Sequence, residues 1–479
     1  MVFYLPKPDS SIVRLFSYPR KRPTLEPPQL LSETDSQIYP SVSPFDRLPI
    51  ELQVEIFSHC FPPFPRFDVN EGPLLIGRVC SAWRTVLLST PRFWSSFEIE
   101  VNGSGPSVSL RDIQIVSTME LWLRRSRTNP LNVRVIHIPV GRIPDPLSAQ
   151  LVALLIPEAR RWRHVQFIIP TANMASLRHS FPNEFPSLRS LTLQMKGLWT
   201  SEPTFTLSTA GIPWAQLTRL DLQLEQNNLP DLNDCLNILR QMDQVKECTL
   251  SANCTLNSDQ GIEVNATYLE SFHLLVHNGA ESAADSLAHF LCLLSTPSLH
   301  SLDLKWHVNN ATNWSTAHQD FTTFLRGISS TLRTLELSYL PVSEEDLLDC
   351  LSHIPFLEDL ELRFSLNDDE QEPITSTFAA ALTISPPNAV EMTNTDISPD
   401  AQLLPCLTSF MLECNGSRLS FTALVAMINS RHDYSDSSSP LLRRVHVRSM
   451  KPVIREIDWQ VALWAGEGMD ISIDTVPLL

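Results

Sequence analysis

The chain has 479 residues, 43% hydrophobic and 19% charged, which gives a globular protein with room for a large core and more than one module. A formal net charge of −17 without any broad basic field argues against nucleic acid and anionic membranes as partners. Nine scattered cysteines form no CxxC pair and no apolar run has leader or bilayer-spanning length, so the expectation is reduced core thiols in a cytoplasmic and/or nuclear protein, with no disulfide framework and no metal site.

Residues 1–44 carry prolines at 6, 8, 19, 23, 27, 28, 40 and 44 among serines and mixed charges, the composition of a disordered arm. A small helical unit is expected over 45–97. Ile50 to Cys60 reads as a helix on which Leu52, Ile56 and Cys60 form one apolar stripe and Ile50, Val54 and Phe57 a second, an arc wider than a surface helix needs. A second helix is expected from Pro73, at its first position, to about Leu88, with Val79, Trp83 and Val86 on one strip and Ile76, Cys80 and Leu87 on another. Ser89-Thr90-Pro91 then starts a short third element bearing Phe93 and Trp94. So small a unit has more apolar surface than it can hide, and the surplus suits docking onto another protein.

Leu48-Pro49-x-Glu51-Leu52…Ile56-Phe57, Val79-Cys80-x-x-Trp83-Arg84 and Thr90-Pro91-x-Phe93-Trp94, in that order, resemble the F-box, in wording like the F-box proteins numerous in mushroom-forming fungi. The likeness covers about fifty residues and departs from the usual pattern in a long, Pro-stiffened linker, Phe61 to Gly72. It implies docking onto a Skp-type adaptor of the cullin complex in SCF ubiquitin ligases. By position, Leu48, Pro49, Leu52, Ile56, Phe57, Val79, Cys80 and Trp83 would supply the adaptor-facing side chains, and Trp94 would lock the third element in place. The rest of the chain would then bind a target protein; the alternative is a scaffold or regulator that uses the same F-box outside ubiquitination.

From 98 to 479 the pattern L-x-x-L-x-L recurs. It is clear at Leu188/Leu191/Leu193, Leu217/Leu220/Leu222, Leu299/Leu302/Leu304, Leu332/Leu335/Leu337 and Leu357/Leu360/Leu362. Degenerate copies stand at Val245/Cys248/Leu250, Leu269/Phe272/Leu274, Leu407/Phe410/Leu412 and Leu442/Val445/Val447, with Trp162/Val165/Phe167 a plausible earlier one. The anchors from 188 to 357 lie 29, 28, 24, 30, 33 and 25 residues apart, the period of leucine-rich repeats. Within one unit, Leu335 and Leu337 alternate onto one strand face and Ser343 caps an acid-led helix whose Leu347, Leu348 and Leu351 face the core. The expected fold is α/β: a three-helix unit followed by an irregular solenoid, parallel strands on the concave face and helices on the convex. An acidic insert is expected near 365–402, with a helix at Ile374 to Leu382, and a last helix and strand from Glu456 to Trp464 and Asp470 to Val476.

The chain has no HExxH, P-loop, GxSxG or GxGxxG spacing and 13 glycines in all, so no catalysis, cofactor or metal is expected. Cys350 and His353 read as helix residues of one repeat. Target contacts are expected from strand positions that point away from the core: Gln194, Gln223, Glu225, Lys305, His307 and Arg363; the acids of Asp368 to Glu372 read first as a solvated insert, with a site for a basic segment as the alternative.

Overall fold

The structure is a computed structural model and describes residues 43–102, 110–138, 146–170, 185–195, 212–224, 229–256, 263–308, 314–366, 372–384, 402–432, 442–450 and 458–475. The chain divides into two compact units, Met1–Pro49 and Ile50–Leu479. In the described part of the first, Pro44–Arg47 forms one 3-10 turn, closed by the Leu48 N–H donating to Phe45 O at 3.1 Å.

The second unit opens with α1 (Ile50–His59), α2 (Gly72–Ile76), α3 (Ser81–Ser89) and a 3-10 turn at Pro91–Trp94. There follow β1 (Ser96–Asn102), α4 (Leu110–Ser126), β2 (Leu131–Ile138), α5 (Pro146–Leu155), β3 (Trp162–Ile169), β4 (Ser190–Met195) and β5 (Arg219–Gln223). Next come α6 (Leu232–Arg240), β6 (Glu247–Cys254), β7 (Val264–Asn265), β8 (Ser271–Gly279), α7 (Ala283–Cys292), β9 (Leu294–Ser295), β10 (Ser301–His307), α8 (His318–Ile328) and β11 (Thr334–Ser338). The unit ends with α9 (Glu344–Ser352), β12 (Asp359–Arg363), α10 (Ser376–Ala381), β13 (Ser409–Cys414), α11 (Phe421–His432), β14 (Arg444–Ser449), α12 (Asp458–Gly466) and β15 (Asp470–Thr475).

Thirteen of these strands make one parallel sheet in chain order, while β7 and β9 pair with each other outside it. Parallel neighbours need a crossover between them, and helices supply it in most of the described intervals. Register is set by two apolar rows. One runs from Phe97 through Val133, Val165, Leu191, Leu220, Cys248, Phe272, Leu302, Leu335, Leu360, Phe410 and Val445 to Ile471. The second lies two residues on, from Ile99 through Leu193, Leu222 and Leu304 to Ile473. Both rows are buried except in β15, where Ile471 and Ile473 are half-buried. They face the helices: Phe272 stacks on Phe290 of α7 with centroids 6.4 Å apart.

A backbone ladder ties the repeats together just before each strand. The N–H of Arg189 donates to Arg163 O, Thr218 to Arg189 O, Lys246 to Thr218 O, Glu270 to Lys246 O and His300 to Glu270 O, each at 2.8 Å. The same relation continues through Arg333, Glu358, Thr408 and Arg443. Each turn thus satisfies its exposed amide on the carbonyl of the turn before.

One expectation is corrected and three features are added. The helix expected over Pro73 to Leu88 is two, because Gly77 ends α2 and Cys80, with an extended backbone, caps α3 with its thiol, which accepts the Trp83 N–H at 3.4 Å. Arg84 Nε fastens the break by donating to Gly77 O at 2.8 Å. β1 runs across residues 97 and 98, and its first residues already pair with β2. Two strands, β1 and β2, precede the earliest copy read from the sequence. The Phe61 to Gly72 linker is a structural strand-edge partner: Glu98 N–H donates to Pro65 O at 3.0 Å, and Arg66 Nε pairs with Glu98 Oε1 at 2.9 Å. Its Phe67 ring packs on Phe97 and Trp122, at 5.4 and 5.0 Å between centroids. The outer edge of β1 is therefore covered at this point, as exposed strand edges require.

Helices near the far end follow the sequence closely. Ser343 caps α9 by accepting the Asp346 N–H at 3.1 Å, and Thr375 caps α10, flanked by the buried Ile374 and Leu382. Most of the acidic insert lies outside the described residues. Its Glu372 is buried and accepts the Gly416 N–H at 2.8 Å, so it is closed to a basic partner.

Candidate functional site

The first set of expected site residues divides by burial. Leu48 is half-buried and Pro49 exposed in the first compact unit. On α1, Leu52 and Ile56 are 51% and 42% exposed, as is Ile50 at 51%, whereas Phe57 is 1% exposed. The α1 face turned inward is Gln53–Phe57, one residue round from the Leu52–Ile56 stripe. Phe57 belongs to the interior: its ring meets Trp83 at 5.1 Å and Phe93 at 6.4 Å, and no partner can reach it. Val79, in the break between α2 and α3, is 60% exposed; Cys80 and Trp83 are half-buried. Of the eight, then, Pro49, Leu52, Ile56 and Val79 are exposed, and Phe57 is not.

Sequence reading missed Leu75 and Val69, both exposed, because the F-box likeness was carried over only at its motif positions and Phe61 to Gly72 was read as a linker. Seven of the fourteen large apolar side chains left exposed among the described residues fall between Ile50 and Leu88, so the surplus is concentrated in the helical segment. Beneath it, Val86, Leu87, Phe93 and Trp94 are buried, and Trp94 Nε1 donates to Leu87 O at 2.9 Å.

The second set sits on the sheet face opposite the apolar rows. Gln194 and Gln223 both donate to Asp221, at 2.9 and 3.1 Å. Burial raises the Asp221 pKa against these two hydrogen bonds. Lys305 Nζ bridges Asp303 and Glu336 at 3.0 Å each. Burial works against its ammonium, yet the two carboxylates outweigh that and raise its pKa. Arg363 pairs with Glu361 and lies 3.9 Å from Glu336. His307 is exposed; its ring stands edge-on to His277 at 5.3 Å and near Tyr339 at 6.1 Å. Burial and the neighbouring Lys305 lower the His307 pKa. Glu225 lies outside the described residues. Four of the six expected contacts are thus already engaged with strand neighbours, and a ligand on this face must exchange those pairs.

One constellation here was not foreseen. Ser271 Oγ lies 2.9 Å from His273 Nε2, and His273 Nδ1 lies 3.0 Å from Asp303 Oδ2, on the adjacent strand. The order is that of a serine nucleophile, its base and its orienting acid. The Ser271 N–H, however, donates to Lys246 O at 2.9 Å, so the amide best placed to stabilise a tetrahedral oxyanion is committed to the backbone ladder. The trio is accounted for as a strand-to-strand link. Cys350, with His318 Nδ1 4.0 Å from its sulfur, is buried and its thiol is pushed far above the ordinary range by that burial, the opposite of an activated nucleophile.

Among the described residues no cluster of three or more His, Cys, Asp or Glu side chains is arranged to hold a metal, and no helix is long and apolar enough to cross a membrane. No family model matches the chain, and no curated protein matches it.

Proposed function

We propose that the chain is the substrate-recognition subunit of an SCF-type ubiquitin ligase. An F-box-like helical segment would dock a Skp-type adaptor, and a leucine-rich-repeat-like sheet would hold a target protein. The observation that carries the reading is the concentration of exposed apolar side chains, Ile50, Leu52, Ile56, Leu75 and Val79, over a segment whose own core is already closed by Phe57, Val86, Leu87 and Trp94. Covering a half-exposed Leu, Ile or Val contributes about 1 kcal/mol each, and several together suffice to anchor an interface. The chain itself would carry out no bond-making step. It acts by tethering, which raises the effective concentration of a target lysine at the ubiquitin-charged enzyme.

Co-purification of the full chain with a Skp-type adaptor and a cullin tests this. Leu52→Asp with Val79→Asp should remove the adaptor while leaving the far-ultraviolet spectrum unchanged, since both side chains lie outside the core. Retention of the adaptor by the folded double variant would refute the docking assignment. Adaptor binding without cullin would favour a scaffold in place of a ligase subunit.

A further inference from the structure

A groove of about 510 Å³ lies where the end of α1 and the Phe61 to Pro65 segment meet the first residues of β1, β2 and β3. That is the size of a ligand pocket. It uses none of the exposed apolar side chains or strand-face residues invoked above.

Three features of its lining ask for complements. Arg163, on β3, is exposed, and its guanidinium has no partner among the described residues. Asn132, on β2, has its Oδ1 buried without a donor, while its backbone N–H is already given to Ser95 O at 2.8 Å. The third feature is apolar: Phe61 and Phe93 meet edge-on at 5.1 Å, and Pro130 also lines the groove. A second guanidinium, Arg92, is tied to Glu55 Oε2 at 2.9 Å and Ser58 Oγ at 2.7 Å, so the net positive charge rests on Arg163. No Asp or Glu lines the groove, although the chain carries 53 acids against 36 Lys and Arg.

A lone small anion would answer Arg163 and leave the other two unmet. An extended peptide supplies all three at once: a carboxylate, a backbone N–H and an apolar side chain at the short spacing of a strand. We infer that this groove binds an extended acidic peptide segment of another protein. Its Asp or Glu carboxylate pairs with Arg163, one of its N–H groups donates to Asn132 Oδ1, and an apolar neighbour packs on Phe61 and Phe93. Aromatic and proline walls favour such a segment because they present flat, rigid apolar surface at little entropic cost.

Fluorescence anisotropy of the full chain with a labelled, end-capped hexapeptide of alternating Glu and Leu tests this, with the matching Lys and Leu peptide as control. Saturable binding of the Glu peptide alone is expected, weakened roughly tenfold or more by Arg163→Glu and less by Asn132→Leu. The Leu52→Asp, Val79→Asp variant should bind the peptide unchanged, which separates this site from the adaptor reading. Equal binding of both peptides, no saturable binding of the Glu peptide, or indifference to Arg163→Glu would overturn the inference. Complete displacement by inorganic phosphate would overturn it too and reassign the groove to a small anion.

Discussion

The indole of Trp94 meets that of Trp122 edge-on, 5.1 Å between centroids at 80°, and so joins the 3-10 turn that ends the helical segment to the first long helix behind the sheet. The Arg125 guanidinium lies over the Trp94 ring at 4.3 Å, and Trp94 Nε1 holds α3 through Leu87 O. One side chain thereby fastens three elements.

Trp94→Ala should cost about 3–5 kcal/mol, the range for deleting a buried aromatic side chain. Trp94→Phe keeps much of the packing and loses the hydrogen bond, for about 1–3 kcal/mol. Urea unfolding followed by tryptophan fluorescence and far-ultraviolet circular dichroism measures both. Equal losses would mean that the Leu87 link, not the ring, dominates.

Gly279→Ala is expected to destabilise by about 1–3 kcal/mol through overpacking. A Cβ there would stand 2.5 Å from Ala283 Cβ and 3.3 Å from Val308 Cγ1, where the end of β8 passes the start of α7. Thermal unfolding of the variant checks this, and an unchanged midpoint would show that the strand end yields.

Arg431 is a buried cation whose Nε, Nη1 and Nη2 donate to the carbonyls of Leu382, Leu404 and Leu403 at 2.7, 2.8 and 2.7 Å. Leu404 has a left-handed φ of 50°, which these bonds help hold. Arg431→Met takes a donor from each of the three carbonyls, of which Leu404 O keeps the Leu407 N–H at 3.2 Å, and should cost about 2–3 kcal/mol. Arg431→Lys should not restore the loss, because one ammonium cannot reproduce the planar fork. Denaturant midpoints of the two variants decide it.

Cys254 is buried, its sulfur 3.1 Å from Ala283 O, and burial pushes its thiol up to about 12. An unfolded thiol ionises from about pH 8.5. Its contribution is therefore fully present below that pH and falls as pH rises through 12, by at most about 1.4 kcal/mol per unit. The stability difference between the native chain and Cys254→Ala should shrink between pH 8 and pH 11. A constant difference in urea titrations at the two values would contradict this.

Register was the most legible part of the fold. Leu191, Leu220, Leu302, Leu335 and Leu360 stand beside one another across the sheet because a strand repeats every two residues, and one buried face leaves no second alignment. Even the degenerate anchors Cys248 and Phe272 hold their places. The strands β1 and β2 escaped notice because Phe97-Glu98-Ile99 and Val133-Arg134-Val135 alternate without leucine. The break at Gly77 was hidden by an apolar periodicity that continues across it. Exposure of single residues was the least legible: Leu52 and Phe57 are both apolar and on one helix, and the packing of Trp83 and Phe93 against the latter decides between them. On the strand face, composition named Gln194, Lys305 and Arg363 but could not say that Asp221, Asp303 and Glu361 would take them up.

The bond from Glu98 to Pro65 ties the segment after α1 to the first strand of the sheet. Arg66 reaches both Glu98 and Glu100, and Arg134 Cζ lies 4.4 Å over the Phe64 ring, so the strap is gripped along its length. If, as proposed, the helices hold one protein and the strand face another, the strand on which the second lands would set how far it stands from the first.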